Sequence, residues 1–297
     1  MAHPLAPQAA PLSLESLFAL GLSLSAALYV AGWRRLRRRG RGRARPAAWR
    51  AGCYAGGVAA LALAVVSPIA TAGERFFSAH MVQHLLLAVV APPLLWLGAP
   101  TVPLLWGLPG RLRRPIGRLL AARRPIGRAL RLLARPAVAS LLYLATLAFW
   151  HVPVFYDAAQ GPALVHHLEH VLLLGTALAY FWPVIHPTGG SRPLGYGATL
   201  LYLVPPMVEG DVIGALISFA QVPLYATYAA IAGADLDAVV ADQRAGGLVM
   251  WVGGGLFWLV PMSVVFFLAS RDARPRAGAP VAPLPVSPSQ APPRGAR

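Results

Sequence analysis

The sequence contains no lysine, one cysteine and only ten acidic residues, and each shortage excludes a class of function. Without lysine, a seven-helix protein cannot hold retinal through the lysine Schiff base that retinal proteins use. Because Cys53 is the only cysteine, the chain cannot form an internal disulfide or a CxxC metal or redox pair. Any metal site must therefore use other ligands.

Charged residues are also scarce, at 12% of 297 residues, whereas 57% are hydrophobic and the mean hydropathy is +0.58. This composition is too apolar for a soluble domain of this size, so we expect a membrane protein in contact with lipid. The net charge of +16 would favour nucleic acid if the basic residues shared a soluble face. They form short blocks between apolar runs instead, and we expect no nucleic-acid partner.

Seven apolar runs are long enough for about 20 helical residues each. They predict an all-α fold, a seven-transmembrane helix bundle over residues 1–270, with spans at about 12–33, 50–70, 77–98, 136–156, 163–185, 193–218 and 245–269. No basic residue precedes the first run, so we expect it to be a retained helix. Residues 271–297 are rich in Pro, Ala and Arg and lack apolar periodicity, which predicts a disordered cytoplasmic tail.

The arginines concentrate in two connections, with nine in residues 34–50 and nine in residues 111–135. With seven spans, both blocks lie on the same side of the membrane. The positive-inside rule makes that side cytoplasmic, which predicts an extracytoplasmic N-terminus and a cytoplasmic C-terminus. The second block contains the duplication RRPIGRLLAA and RRPIGRALRL, which could lie as a basic amphipathic helix on anionic lipid.

This orientation brings the polar residues of five spans to one level near the outer surface. They are His80, Gln83 and His84 in the third span, His151 in the fourth, His166, His167, Glu169 and His170 in the fifth, Glu209 and Asp211 in the sixth, and Asp242 and Met250 in the seventh. Buried polar groups must find partners or cost several kcal/mol each, roughly, so we expect these side chains to meet one another or a ligand.

Two of these segments share a motif, HxxQH at residues 80–84 and HxxEH at residues 166–170. Residues at i, i+3 and i+4 lie on one helical face, so each helix offers two imidazoles beside an oxygen-bearing side chain. Neutral imidazole is a common ligand for Zn, Cu, Ni and haem iron. We therefore predict a metal or haem site, and the candidate ligands are His80, His84, His151, His166 and His170.

The remaining polar residues receive supporting roles. Gln83 and Glu169 would hold the imidazoles in their ligating tautomer, and Asp157 and Asp242 would cap helix starts or support the ligands. Met250 could add a thioether ligand for Cu(I), although methionine in a helix usually serves packing. We interpret His167 and His186 as structural. The roles of Glu209 and Asp211 stay open.

Five segments between about residues 76 and 265 resemble the polytopic CtaG family of cytochrome c oxidase assembly factors. They are HMVQHLLLAVVAPPLLWLGAP, FWHVPVFYDAA, HHLEHVLLLGTALAYFWPV, IGALISFAQVPLYATY and ADQRAGGLVMWVGGGLFWL. The resemblance implies a multi-pass protein of the plasma or inner membrane that is not an enzyme and that helps copper reach a haem-copper oxidase. It carries over the five histidines named above as motif residues, with Gln83, Asp157, Glu169, Asp242 and Met250 beside them.

Three hypotheses follow. In the first, an assembly factor holds copper between the outer ends of the third, fourth and fifth spans, and its partners are cytochrome c oxidase subunits. In the second, a b-type membrane cytochrome binds haem through one histidine from each of two helices. In the third, a small-solute or metal transporter admits its substrate at the outer polar cluster. A purely scaffolding role would need none of the motif histidines.

Overall fold

In the computed structural model, residues 14–39, 47–121, 123–185, 194–233 and 235–273 are described, and these residues form helices and no strand. The all-α prediction is thus confirmed for this part of the chain. The helices are α1 (Leu14–Arg39), α2 (Ala48–Val65), α3 (Pro68–Gly73), α4 (Phe77–Leu97), α5 (Thr101–Gly107), α6 (Gly110–Leu119), α7 (Pro125–Leu133), α8 (Pro136–His151), α9 (Pro153–Ala159), α10 (Ala163–Ile185), α11 (Tyr196–Phe219), α12 (Ala226–Ala232) and α13 (Leu236–Asp272).

Six of these helices are long and apolar enough to cross a membrane, namely α1, α2, α4, α10, α11 and α13. A seventh crossing results if α7 and α8, which meet at a bend of 70°, count as one span. The predicted fourth span therefore corresponds to α8, which ends at His151 rather than at residue 156. It ends there because Val152 is extended and Pro153 begins the next helix.

The sidedness of the termini stays a prediction. Residues 1–13, His186 and nearly all of the predicted tail, from residue 274 onward, lie outside the described residues.

Helix α4 occupies the centre of the bundle and contacts α2, α3, α10 and α13. Helix α11 packs on both α8 and α13, whereas α1 pairs with α5 and α2 at the periphery. The backbones of α11 and α13 approach closely at Gly214, where a Cβ atom would lie 2.8 Å from the Gly247 carbonyl oxygen. Small residues at such crossings are typical of membrane helix pairs.

Prolines in the spans leave carbonyl groups without their usual helical donors, and tyrosines supply the missing hydrogen bonds. Pro92 has no N–H to offer the carbonyl of Ala88, and Tyr143 Oη donates to that oxygen at 3.4 Å. A π-helical segment over Leu86–Val90 lies just before this site. The carbonyl that Pro92 leaves open in α4 is thus satisfied by a hydroxyl donor from the neighbouring helix α8.

In α11, a proline is compensated in the same way by a tyrosine of α10. Pro206 cannot donate to the carbonyl of Tyr202, and Tyr180 Oη donates to this oxygen instead. Tyr202 Oη in turn donates to the carbonyl of Tyr180 at 3.1 Å, and the two rings stack with centroids 4.4 Å apart. Because Tyr180 is fully buried, no water can replace its hydroxyl.

Replacing Tyr180 with phenylalanine removes the donor that Tyr202 needs. We expect Tyr180→Phe to lower the free energy of unfolding by about 1–2 kcal/mol, measured as the denaturation midpoint in detergent. In a Pro206→Ala background the restored N–H satisfies the Tyr202 carbonyl, so the same change should cost less. Equal losses in the two backgrounds would contradict this explanation.

Candidate metal centre

The starts of α4 and α10 and the end of α8 meet at one end of the bundle, and together they carry the motif histidines. Because α4 begins at Phe77, its HxxQH motif occupies the first two turns, and the HxxEH motif of α10 begins three residues after Ala163. Gln83 is buried, and so are four other side chains of the two motifs, with exposed fractions of 0% for His80, 4% for His84, 0% for Glu169 and 8% for His170.

These four side chains each direct one ligand atom to a common point, and the four atoms all lie within 4.8 Å of one another. The Nε2 atoms of His80 and His84 are 2.7 Å apart. Glu169 Oε1 lies 3.3 Å from His84 Nε2, and Glu169 Oε2 lies 3.8 Å from His80 Nε2. A tetrahedral ion with bonds of the usual length places its ligands about 3.4 Å apart, so the spacing fits a single ion.

The Nε2 atoms of His80 and His84 are in hydrogen-bond contact with each other, but the remaining ligand atoms lack such a partner within the protein. Both carboxylate oxygens of Glu169 and the Nε2 atom of His170 are buried without a hydrogen bond. Burying such polar atoms unpaired costs about 1–3 kcal/mol each, and more for a charged group. A cation bound between them would accept their lone pairs and remove this cost, so the residues present fit a metal ion.

His166 and His151 lie on either side of this cluster. The half-buried ring of His166 is 4.4 Å from the ring of His170 and 5.4 Å from that of His80, measured between centroids. On the other side, the buried ring of His151 is 5.6 Å from that of His84. His151 Nδ1 donates to the Leu147 carbonyl at 2.7 Å, which leaves its buried, unpartnered Nε2 as a free acceptor.

Asp242 and Asp157 bind the starts of helices other than their own. Asp242 accepts hydrogen bonds from the backbone N–H of Ser78, at 3.3 Å, and from its hydroxyl, at the first turn of α4. Asp157 accepts from the backbone N–H groups of Ala226, at 3.1 Å, and Thr227, at 3.0 Å, where α12 begins. These are capping contacts, one of the two roles that the sequence predicted.

Gln83 and Met250 do not contribute to the cluster. The Gln83 amide, predicted to orient a histidine, donates instead to the Ala64 carbonyl of α2 at 2.7 Å, so it ties α4 to α2. Met250 packs at the edge of an aromatic cluster that includes Phe77. Glu169, by contrast, was predicted only to orient the imidazoles, and the structure places its carboxylate among the possible ligand atoms.

The sequence did not predict three side chains near this cluster, those of Gln160, Tyr156 and Tyr228. Gln160 Nε2 lies 3.4 Å from His80 Nδ1, and a rotation of that amide by 180° would let its oxygen accept the Nδ1 proton. This is the tautomer that frees Nε2 for a metal. The ring of Tyr156 lies 5.3 Å from that of His80, and its hydroxyl meets that of Tyr228 at 2.9 Å.

The two tyrosines form a hydrogen-bonded chain beside the site. Tyr228 donates to the Gly73 carbonyl of α3 at 3.0 Å, which leaves its oxygen to accept from Tyr156. Burial raises the pKa of both phenols, so both stay protonated and act as donors. Tyrosines in the mostly apolar segments VFYDAA and PLYATY are the sequence signal for this pair. Nothing in the sequence distinguishes Gln160 from an ordinary loop residue.

The sequence model of the family described as "Cytochrome c oxidase caa3 assembly factor (Caa3_CtaG)" matches residues 27–272. The chain belongs to this family. The match confirms the resemblance drawn from the histidine motifs, and it includes the three helices that form the candidate metal centre.

Three curated mycobacterial proteins are similar to this Caa3_CtaG chain. It is 28% identical over 251 residues to an uncharacterized protein of Mycobacterium bovis, and equally to one of Mycobacterium tuberculosis. It is 27% identical over 228 residues to one of Mycobacterium leprae. These matches cover 83%, 83% and 75% of this chain but only 37%, 37% and 34% of the relatives, so the chain spans little more than a third of their length. No solved structure is significantly similar to it.

The contacts of Asp242 predict that its loss affects stability rather than metal binding. We expect Asp242→Ala to lower the free energy of unfolding by about 1 kcal/mol, because the first turn of α4 loses its cap. The amount of copper or zinc bound per chain should not change, and Met250→Leu should change neither quantity. Thermal denaturation and metal analysis of the purified proteins measure both. Loss of metal from either variant with unchanged stability would make that side chain a ligand.

Proposed function

We propose that this Caa3_CtaG chain holds a copper ion transiently during the assembly of a haem-copper cytochrome c oxidase. The observation that carries the proposal is the convergence of three imidazoles and one carboxylate, from two helices, at a single buried point. Membership of an oxidase assembly family supports copper as the ion, because copper is a metal that this oxidase must acquire.

The donor atoms suit copper chemically. Imidazole is a good ligand for copper and zinc, and among divalent ions of the first transition row a given site binds copper most tightly. The carboxylate of Glu169 supplies one negative charge, which offsets the charge of the ion in a buried site. With neutral imidazoles, a monovalent ion would leave no net charge and a divalent ion one positive charge. No sulfur atom belongs to the cluster.

The flanking histidines support transient rather than permanent binding. His166 is half-buried and touches the cluster from its more exposed side, so it could receive an ion before the buried ligands do. His151 presents a buried, free Nε2 atom on the opposite side. The imidazoles form a continuous series of ring contacts from His166 through the buried cluster to His151. An ion could therefore exchange its ligands one at a time along this series.

Holding and releasing an ion needs no catalytic group, and assembly factors are not normally enzymes, which supports a non-enzymatic role. We infer that the partners are oxidase subunits and that the membrane is the plasma or inner membrane. The arginine distribution supports placing the histidine end of the bundle on the extracytoplasmic side. A carrier at that side would hand its ion to an oxidase site outside the cytoplasm.

The packing of the imidazoles favours a single ion over haem. The rings of His80, His84 and His170 contact one another with centroids 4.3–5.7 Å apart, and they leave no slot for a porphyrin between two histidines. A transporter remains the second candidate because Glu209 lies within the span of α11, with Oε2 buried and unpartnered. Carboxylates inside a span often mark ion paths.

Removing one ligand should weaken copper binding. We expect His84→Ala and Glu169→Gln each to lower the copper affinity of the purified protein by at least about tenfold. His167→Ala is the matched control, because His167 lies in the same motif region but bonds only the Ala163 carbonyl of its own helix. Metal analysis after copper loading, with zinc measured in parallel, gives the number of ions per chain.

The same variants separate the alternatives. Cells carrying His84→Ala or Glu169→Gln should assemble an oxidase with less copper, whereas the His167→Ala strain should match wild type. A Soret band in the purified protein would favour haem, and copper flux into liposomes without oxidase would favour transport. Full oxidase assembly in both cluster variants would reduce the chain to a scaffold and overturn the proposal.

A further inference from the structure

The second arginine block lies far along the chain from the metal centre and has no acidic residue near it in sequence. Residues 111–135 carry nine arginines, and no aspartate or glutamate occurs from residue 75 to residue 156. Four of these arginines lie on α6, namely Arg111, Arg113, Arg114 and Arg118. Within the described residues no carboxylate is in salt-bridge range of any of them. Their positive charge is therefore not neutralised by any described carboxylate and is available to an anion from outside the protein.

The side chains of Arg113, Arg114 and Arg118 line an open groove between α5 and α6, with a volume of about 640 Å³. The Cζ atom of Arg113 lies 4.4 Å from the centroid of the Trp106 ring, and this cation–π contact forms part of the groove wall. Gly117 also lines the groove, and a Cβ atom there would meet nothing within 4 Å. The groove thus has arginines on its α6 side and Val102, Leu105 and Trp106 on its α5 side.

Arg35 of α1 fixes the aromatic wall in place. Its guanidinium donates to the carbonyls of Trp106, at 2.8 Å, and of Gly107 and Leu108, both at 3.2 Å, where α5 ends. Arg35 therefore caps the end of α5 and has a structural role. Arg114 and Arg118, one helical turn apart on the same face of α6, repel each other unless an anion lies between them.

The surroundings of the groove identify the anion. Leu112 and Leu119, on the same helix, are about half exposed, at 50% and 49%, so α6 is amphipathic and suited to the membrane surface. Tryptophan is enriched at the level of the lipid headgroups, and arginine binds phosphate oxygens through two parallel hydrogen bonds. We propose that this groove binds the phosphate headgroup of an anionic phospholipid, with Arg113, Arg114 and Arg118 as its ligands.

The duplicated hexapeptide RRPIGR provides an internal control. Residues 123–128 repeat residues 113–118, with the same three arginines in the same order. In the second copy, however, Gly127 is buried against the end of α6, and a Cβ atom there would lie 2.8 Å from the Leu120 carbonyl oxygen. The two copies therefore have the same charge, but the groove beside Trp106 is lined by the first copy.

The test compares the two copies in the full-length protein. Native mass spectrometry or thermal stabilisation in detergent would measure binding of phosphatidylglycerol, with phosphatidylcholine and inorganic phosphate as separate arms. Changing Arg113, Arg114 and Arg118 to glutamine should weaken phosphatidylglycerol binding by on the order of 100-fold, about fivefold for each arginine. Changing Arg123, Arg124 and Arg128 to glutamine removes equal charge and should have a much smaller effect.

A second variant tests the groove without changing charge. Gly117→Leu fills the open space on an exposed helix where leucine is the better helix former, so the protein should fold. It should lose the preference for phosphatidylglycerol over phosphatidylcholine. Equal losses in the two triple variants, or an unchanged preference in Gly117→Leu, would show diffuse attraction and overturn the site. Equal binding of inorganic phosphate would replace the lipid with a soluble ligand and also overturn it.

Discussion

The burial of Glu169 is the constraint on which the rest of the structure depends. A carboxylate with 0% exposure and no hydrogen bond to either oxygen is unfavourable in an apolar bundle unless a positive charge lies beside it. The nearest polar atoms are the imidazoles of His80 and His84, at 3.8 and 3.3 Å. Their Nε2 atoms can act as ligands together with the carboxylate. A cation shared by all three groups would offset the cost of burying them.

The helices around the site hold this arrangement in place. Asp242 caps α4 from a neighbouring helix, so the turn that carries His80 is fixed at its start. The short helices α3, α9 and α12 adjoin the same end of the bundle, where the Tyr156 and Tyr228 hydroxyls link to the backbone of Gly73. Deeper in the bundle, tyrosines satisfy the carbonyls that the prolines of α4 and α11 leave open. Among the described residues, most of the buried side-chain atoms that lack a hydrogen bond belong to Glu169 and to the histidines around it.

Much of this could be predicted from the sequence, because hydropathy sets the spans and helical spacing sets which motif residues share a face. The depth of each histidine follows from these two patterns alone. The rotation of each helix about its own axis does not follow from them, because it depends on which other helices pack against it. Gln83 and Glu169 hold the same place in their motifs, yet Gln83 bonds the α2 backbone and Glu169 joins the histidines. Likewise Met250, at the predicted depth, packs on the aromatic cluster instead.

The metal centre and the arginine groove are built from different physical components. The first depends on neutral nitrogen ligands and one buried charge, and the second on uncompensated surface charge beside an aromatic ring. Together they support the two proposals, a cation within the bundle and an anionic lipid at its surface. X-ray absorption at the copper edge of the copper-loaded protein tests the central claim most directly. The proposed site predicts nitrogen and oxygen neighbours at about 2.0–2.2 Å, with the scattering pattern of imidazole. A copper–sulfur distance, or an ion surrounded by water alone, would contradict it.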